Sequence, residues 1–319
     1  MQLWLLNIQN IISKGEMFMK LKTGNLNNVE RKFIAVRKSN LKKYLDTLKK
    51  VESYKIIQFY SGEYKYRKFE ESNDIKFTKS KKNGNVTEVN EIEEKEFLSN
   101  ISNQIIEKKR TKYIDGNYIV EVDEFLEPSQ LTMIEVSSEN ENLANYEAKD
   151  TFIEVTGNQI YSNENISKGS IKKANVIVEG TDAVGKTTTI TKLLSDGIIC
   201  QDRCEDVISK NMLFDVSHEK RGEEIYNKYF SNKSDANIIF LVNFDEKELM
   251  RRVTSRGKIS DFDLDAYKYG LLYKETYDYM ISHYKTNGRL RLVDCTGLGV
   301  NEQYQKVRNS ILKEIDYER

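Results

Sequence analysis

The chain has 319 residues, with 50 Lys+Arg against 50 Asp+Glu, so it carries no formal net charge at pH 7. That length exceeds one ordinary core and suits two domains. The charge balance speaks against wholesale nucleic-acid binding. Two histidines and three cysteines without a C-x-x-C speak against a zinc site, and no apolar run reaches the length of a membrane span.

Residues 1–18 read as a leader that does not belong to the fold. Met1 to Ile12 is apolar but lacks the basic start and small-residue cleavage site of a signal peptide. Ser13-Lys14-Gly15-Glu16 precedes Met17 and Met19, and the codons for Lys-Gly-Glu resemble a bacterial ribosome-binding site. Translation is therefore expected to start at Met17 or Met19; the rival reading is an amphipathic leader helix. With no export signal, a cytoplasmic location is expected, and Cys200, Cys204 and Cys295 are expected to be reduced thiols.

From residue 28 to residue 135 the apolar pattern has period two, the signature of strands. Strands are expected at 29–36, 53–60, 64–70, 75–79, 85–92, 108–113, 118–125 and 131–136. Turn signals separate them: Ser61-Gly62, Lys82-Asn83-Gly84, Asp115-Gly116-Asn117 and Glu127-Pro128-Ser129. Helices are expected at 40–50 and 93–105. Eight strands with tight turns imply an antiparallel barrel or strongly curved sheet, an α+β unit. Alternation puts Glu30 with Lys32, Lys65 with Arg67, Lys108 with Arg110, and Glu121 with Asp123 on common faces. Such faces are either solvated or line a polar interior.

Several segments, in order, resemble the CYTH family of triphosphate tunnel enzymes: Glu30-Arg31-Lys32-Phe33, Thr78-Lys79, Glu121-Val122-Asp123-Glu124-Phe125, Ile134-Glu135-Val136, and Glu154-Val155-Thr156-Gly157 with Tyr161-Ser162-Asn163. The resemblance covers about residues 28–165, and a domain at 19–166 is expected. It implies an eight-stranded tunnel whose cations cradle a triphosphate while acids hold Mg²⁺ or Mn²⁺. By that resemblance Lys32, Lys65, Arg67, Lys79, Lys108 and Arg110 would be phosphate ligands. Glu30, Glu88, Asp123, Glu135 and Glu154 would hold metal. Asn28, Asn90 and Ser137 stand where the family carries carboxylates, so weaker metal binding is expected. Both a slow hydrolase and a pocket that binds without catalysis fit this pattern.

Residues 167–173 read as a linker into a domain at 174–319. There Gly180-Thr181-Asp182-Ala183-Val184-Gly185-Lys186-Thr187 completes G-x-x-x-x-G-K-[ST], followed by Thr188. A strand-type run precedes it and a helix can follow, the context this motif needs. Its glycines let backbone N–H groups surround phosphate oxygens, Lys186 can reach the β- and γ-phosphates, and the Thr187 hydroxyl can hold Mg²⁺. ATP is therefore the expected ligand. Ser195-Asp196-Gly197 should end the helix. Strands are expected at 198–200, 237–243 and 290–293, and a helix at 245–256 carrying Arg252 and Arg256 four residues apart. Strands alternating with helices give an α/β domain with a parallel sheet.

This half resembles thymidylate kinase-like nucleoside and nucleotide kinases. The carriers are the phosphate loop, Asp202-Arg203 after a strand, and the Arg-x-x-x-Arg pair. The resemblance implies that Lys186, Arg252 and Arg256 act on the transferring phosphoryl group, and that Asp202 and Arg203 act on the acceptor. Only four strands are visible where such kinases have five, so thymidylate is not singled out. The partner is expected to be a small nucleotide or triphosphate. A nucleic-acid end (5′-end processing) and a non-catalytic sensor tunnel that regulates the kinase are the alternatives.

Overall fold

The computed structural model describes residues 30–317, except 36–37, 72–73, 84–85, 129–130, 139–140, 150–151, 203–223, 225–226, 228–236, 258, 260–263 and 284–289. The expected leader, Asn28 and Arg203 lie outside the described residues. The chain divides into two compact units, one of residues up to 31, 49–128 and 135–146, the other of residues 32–48, 129–134 and 147–319.

Nine strands form one antiparallel sheet: β1 (Arg31–Ala35), β2 (Lys49–Ser61), β3 (Tyr64–Glu71), β4 (Asp74–Asn83), β5 (Val86–Glu91), β6 (Ile105–Asp115), β7 (Tyr118–Glu127), β8 (Thr132–Ser137) and β9 (Phe152–Glu154). Their order is β5-β4-β3-β2-β6-β7-β8-β1-β9. This corrects the expectation of eight strands: the ninth, β9, is three residues long and pairs with β1 through Phe33–Glu154, Ile34–Ile153 and Ala35–Phe152. Among the described residues β5 and β9 lie at the two ends of this order.

Two helix expectations run too long. Helix α1 (Lys38–Leu45) and helix α2 (Glu94–Ser99) are both short. Strand pairing overrides helical periodicity at their ends: Lys49 and Lys50 pair with Ile114 and Tyr113, and Ile105 pairs with Phe59. What holds α2 is one side chain. Phe97 is buried, with ring centroids 4.9 Å from Phe59 and 5.1 Å from Phe77, and Glu94 and Glu96 favour the positive end of the helix.

The sheet's two faces differ in chemistry. Ile57, Phe59, Tyr64, Tyr66 and Phe77 cluster with Phe97 on one. On the other, directly opposed residues share a face: Gln58 opposes Arg67, Arg67 opposes Thr78, Tyr54 opposes Arg110, and Arg110 opposes Asp123. Gln58, Lys108 and Asp123 there are fully shielded from solvent. Of the expected charged pairs, Lys65 with Arg67, Lys108 with Arg110 and Glu121 with Asp123 lie on this buried or half-buried polar face.

A separate sheet of four parallel strands has the order β11-β10-β12-β13, from β10 (Lys172–Gly180), β11 (Ile198–Asp202), β12 (Asn237–Val242) and β13 (Leu290–Asp294). Its helices are α3 (Asn163–Ser167), α4 (Lys186–Ser195), α5 (Glu246–Thr254), α6 (Ala266–His283) and α7 (Val300–Tyr317). Strand β12 is a near-continuous apolar run, and β10 is apolar from Val176 to Val178, as parallel strands covered on both faces require. Ile177, Ile238, Phe240, Val242 and Leu290 pack with Tyr273 of α6. The connection order, strand-helix-strand with β10 central, puts the end of β10 and the start of α4 at the carboxyl edge of the sheet, where such folds bind ligands.

Helix α4 ends as expected: Asp196 caps it and Gly197 takes φ 74°. A Cβ at Gly197 would lie 2.7 Å from Ile160 Cγ2 and 3.0 Å from the Ser170 carbonyl, so this position needs glycine in conformation and in space. The last carbonyls of α4 are taken by side chains from the segment after β9. Asn158 Nδ2 donates to the Ser195 carbonyl at 2.9 Å, and the Tyr161 hydroxyl donates to the Leu194 carbonyl. Tyr161 is wholly buried. Tyr161→Ala is expected to cost about 3–5 kcal/mol and Tyr161→Phe about 0.5–1.5 kcal/mol, measured by urea denaturation of the full chain.

Candidate phosphate-binding sites

The first site is the loop between β10 and α4. Glu179 is buried and its Oε1 accepts from the Gly180 amide at 2.8 Å, which fixes the strand end. Gly180 has φ 150°, and a Cβ there would sit 2.3 Å from the Leu241 carbonyl oxygen. Gly185 has φ 96° and Ala183 φ 61°, a left-handed conformation that non-glycine residues rarely take. Left-handed residues in such a loop can turn backbone N–H groups toward one concavity. Lys186 Nζ donates to the Gly180 and Thr181 carbonyls, both at 2.6 Å, and lies 4.0 Å from Asp182 Oδ1. Its ammonium thus sits over the loop it would serve. Thr187 and Thr188 are exposed at the start of α4, whose N-terminus adds positive potential.

A cavity of about 220 Å³ opens here, lined by Asp182, Ala183, Gly185, Lys186, Thr187, Thr188 and Arg256. Arg256 therefore meets the loop, but not from a helix. Asp245 caps α5 by accepting from the Glu248 amide at 3.0 Å, and the helix stops at Thr254, not at 256. Arg256 follows in a turn, its amide donating to Val253 O at 3.1 Å. Arg252 stays on α5. Its Nε pairs with Glu248 at 2.7 Å and its Nη1 reaches the Ala183 carbonyl at 3.4 Å. Arg251 and Arg252 hold the Glu248 carboxyl down at about 2. Asp202 ends β11 in register with Val178 of β10.

One residue of this site has no sequence signal. Gln303 of α7 is buried, and its Nε2 donates to the Val184 carbonyl at 3.1 Å and to Thr189 Oγ1 at 2.9 Å. It ties the loop to the first turn of α4.

The second site is the polar face of the large sheet. Arg110 is its hub. Its Nε and Nη2 donate to the two Asp123 oxygens, its Nη1 to Glu121 Oε2 and its Nη2 also to Glu135 Oε2, all at 2.6 Å. Lys108 Nζ donates to Asp123 Oδ2 at 2.6 Å and lies 5.0 Å from the Phe125 ring centroid. Burial pushes the Lys108 amine down to about 8, against the pull of Asp123. Burial would raise the Asp123 carboxyl, but Arg110 and Lys108 hold it below its ordinary value. Lys112 pairs with Glu52 at 2.6 Å and with Glu121 at 3.7 Å. Arg67 donates through Nε to Gln58 Oε1 at 2.7 Å, and burial together with the neighbouring Arg110 lowers its pKa.

The structure gathers Arg67, Lys108, Arg110, Asp123 and Glu135, and register puts Lys65 on the same face, opposite Ser80. It does not bring Lys79 or Glu88 there. Lys79 lies on the aromatic face, 3.1 Å from Glu96 and 4.3 Å from the Tyr64 ring centroid, and Glu88 opposes Lys81 and accepts from Asn83. Alternation gives the polar face to Lys76 and Glu91 instead, which pair at 2.9 Å. Lys32 and Glu154 meet through Thr156: the Lys32 amide donates to Thr156 Oγ1 at 2.9 Å, and that hydroxyl donates to Glu154 Oε1 at 2.7 Å. Glu30 precedes β1. Among the described residues no three His, Cys, Asp or Glu side chains form a group that could hold a metal ion. No described helix is long and apolar enough to cross a membrane.

No protein-family profile matches the chain, and no curated protein matches it. Among solved structures it is similar to the inorganic triphosphatase NE1496, at 19% identity over 44% of this chain and 95% of that one, with a TM-score of 0.32. It is also similar to the PH1012 protein of Pyrococcus horikoshii OT3, at 16% identity over 35% of this chain and 80% of that one, with a TM-score of 0.27.

Proposed function

We propose that the chain is an ATP-dependent phosphotransferase joined to a second site that binds a triphosphate. The observation that carries the first part is the loop of residues 180–187. Its left-handed Ala183 and Gly185, its lysine and Arg256 all border one cavity. Phosphoryl transfer needs positioning and charge neutralisation more than covalent chemistry. The loop amides and Lys186 would hold the β- and γ-phosphates, Arg256 would face the charge of the transferring group, and Thr187 would take the Mg²⁺ that travels with ATP. The acceptor is a nucleoside, a nucleotide or a 5′-hydroxyl end. Transfer from γ-³²P-ATP to a panel of these acceptors tests the reading: label in one class supports it, and label in none of them counts against a kinase.

For the polar face, binding without turnover is the reading that the geometry favours. Its acids are spent on Arg110, so a metal-loaded catalytic group would first have to break charge-assisted bonds from a set of four. The cations remain suited to an anionic chain of phosphates. Release of inorganic phosphate from tripolyphosphate with Mg²⁺ or Mn²⁺ would instead make it a hydrolase.

A further inference from the structure

Two arginines stand near each other on the polar face and are held in opposite ways. Arg110 is surrounded by three carboxylates. Arg67 has no ion pair among the described residues; its one hydrogen-bond partner there is the side-chain amide of Gln58. Gln58 is completely buried and directly opposite Arg67 across the β2–β3 ladder. Its two ends are both committed. Oε1 accepts from Arg67 Nε at 2.7 Å, and Nε2 donates to the Tyr60 hydroxyl at 2.8 Å.

This chain of bonds fixes the plane of the Arg67 guanidinium and leaves its charge intact. A carboxylate at position 58 would fix the plane equally well but would neutralise it. An amide anchored at both ends holds a rotamer that would otherwise be lost to side-chain entropy. The Nη1 and Nη2 pair is the edge of the guanidinium that matches an oxyanion with two parallel hydrogen bonds. The half-buried Arg67 lies close enough to Arg110 to feel its charge, and it also feels Glu135 and Asp123, but it forms no ion pair with either acid among the described residues.

We propose that Gln58 is a positioning residue: held by Tyr60, it presents Arg67 as the uncompensated cation that captures the terminal phosphate of a linear polyphosphate. This rests on the reading of the polar face as a triphosphate site. The role of Gln58 is a matter of charge as well as shape, so affinity and stability should separate on substitution.

The test uses the full chain carrying Lys186→Ala, so that the loop of residues 180–187 does not contribute, with inorganic tripolyphosphate as the titrant in calorimetry. Gln58→Glu keeps the bond to Arg67 Nε and adds a counterion. It is expected to weaken tripolyphosphate binding at least about tenfold while the melting temperature holds or rises. Gln58→Met removes the hold without adding charge and is expected to weaken binding as well. If Gln58→Glu folds and binds within twofold of its parent, the inference is wrong. Where Gln58→Glu fails to fold, Tyr60→Phe decides: it frees the far end of Gln58, and unchanged affinity overturns the proposal. A parent chain that does not bind tripolyphosphate at all overturns the triphosphate reading itself, which is a different outcome from binding that ignores position 58.

Discussion

Lys186→Ala is expected to lower γ-phosphoryl transfer from ATP by roughly 10²–10³-fold, the usual cost of losing one preorganised donor to a developing charge. The loss is chemical rather than structural. The loop is shaped by Gly180 and Gly185, by the Glu179 contact with the Gly180 amide and by Gln303, none of which needs the lysine. Lys186 Nζ donates to loop oxygens, the Gly180 and Thr181 carbonyls, and lies at longer range from Asp182, all of which can turn to solvent. Melting temperature should therefore hold while transfer falls, measured with the acceptor that the labelled panel identifies. Transfer that survives within a few-fold would mean that the loop is not the donor site.

Arg110→Met should be the most damaging substitution in the large sheet. It removes the arginine that Asp123, Glu121 and Glu135 share on the polar face, leaving Lys108 beside Asp123 and Lys112 near Glu121. Removing one partner from a buried ionic network typically costs about 3–5 kcal/mol, readable by urea denaturation at pH 7. The pH dependence gives the sign. In the native chain Asp123 titrates below its unfolded value, so its contribution is present above that value and is lost as pH falls through the lower folded one. In the variant, burial without Arg110 raises the Asp123 carboxyl, so the folded state binds its proton first and stability recovers as pH drops below neutral. The gap between the two proteins should shrink toward acid. A gap that stays constant with pH would mean that packing, not charge, accounts for the loss.

Much of this was legible from residue order because strand alternation is local. The pairing of Lys65 with Arg67, Lys108 with Arg110, and Glu121 with Asp123 on one face follows from period two alone, and the register bears it out. Errors arose where long-range pairing decided. Nothing near residues 46–50 or 100–105 says that they abandon a helical pattern to pair with β6 and β2. Lys79 and Glu88 were placed by resemblance, and the β4–β5 register puts them on the aromatic face, with Lys76 and Glu91 taking the polar one. Arg256 reached the cavity from a turn because α5 stops two residues short of it. Gln303 and Gln58 carry no motif. Each acts through one bond made across the fold, Gln303 to a carbonyl 119 residues away. Tyr161 is a further case: it stands in a motif that suggests the tunnel, and its hydroxyl, like the side chain of Asn158, donates to the end of α4.

The account rests on there being two separate phosphate sites in one chain. Titrating inorganic tripolyphosphate into the full-length protein and into its Lys186→Ala variant, by calorimetry at low salt, addresses this directly. Two sites in the native chain, with one surviving Lys186→Ala and then lost on Arg67→Ala, is the predicted result. A single site that disappears with Lys186 alone would contradict the account and leave the polar face of the large sheet as structure only.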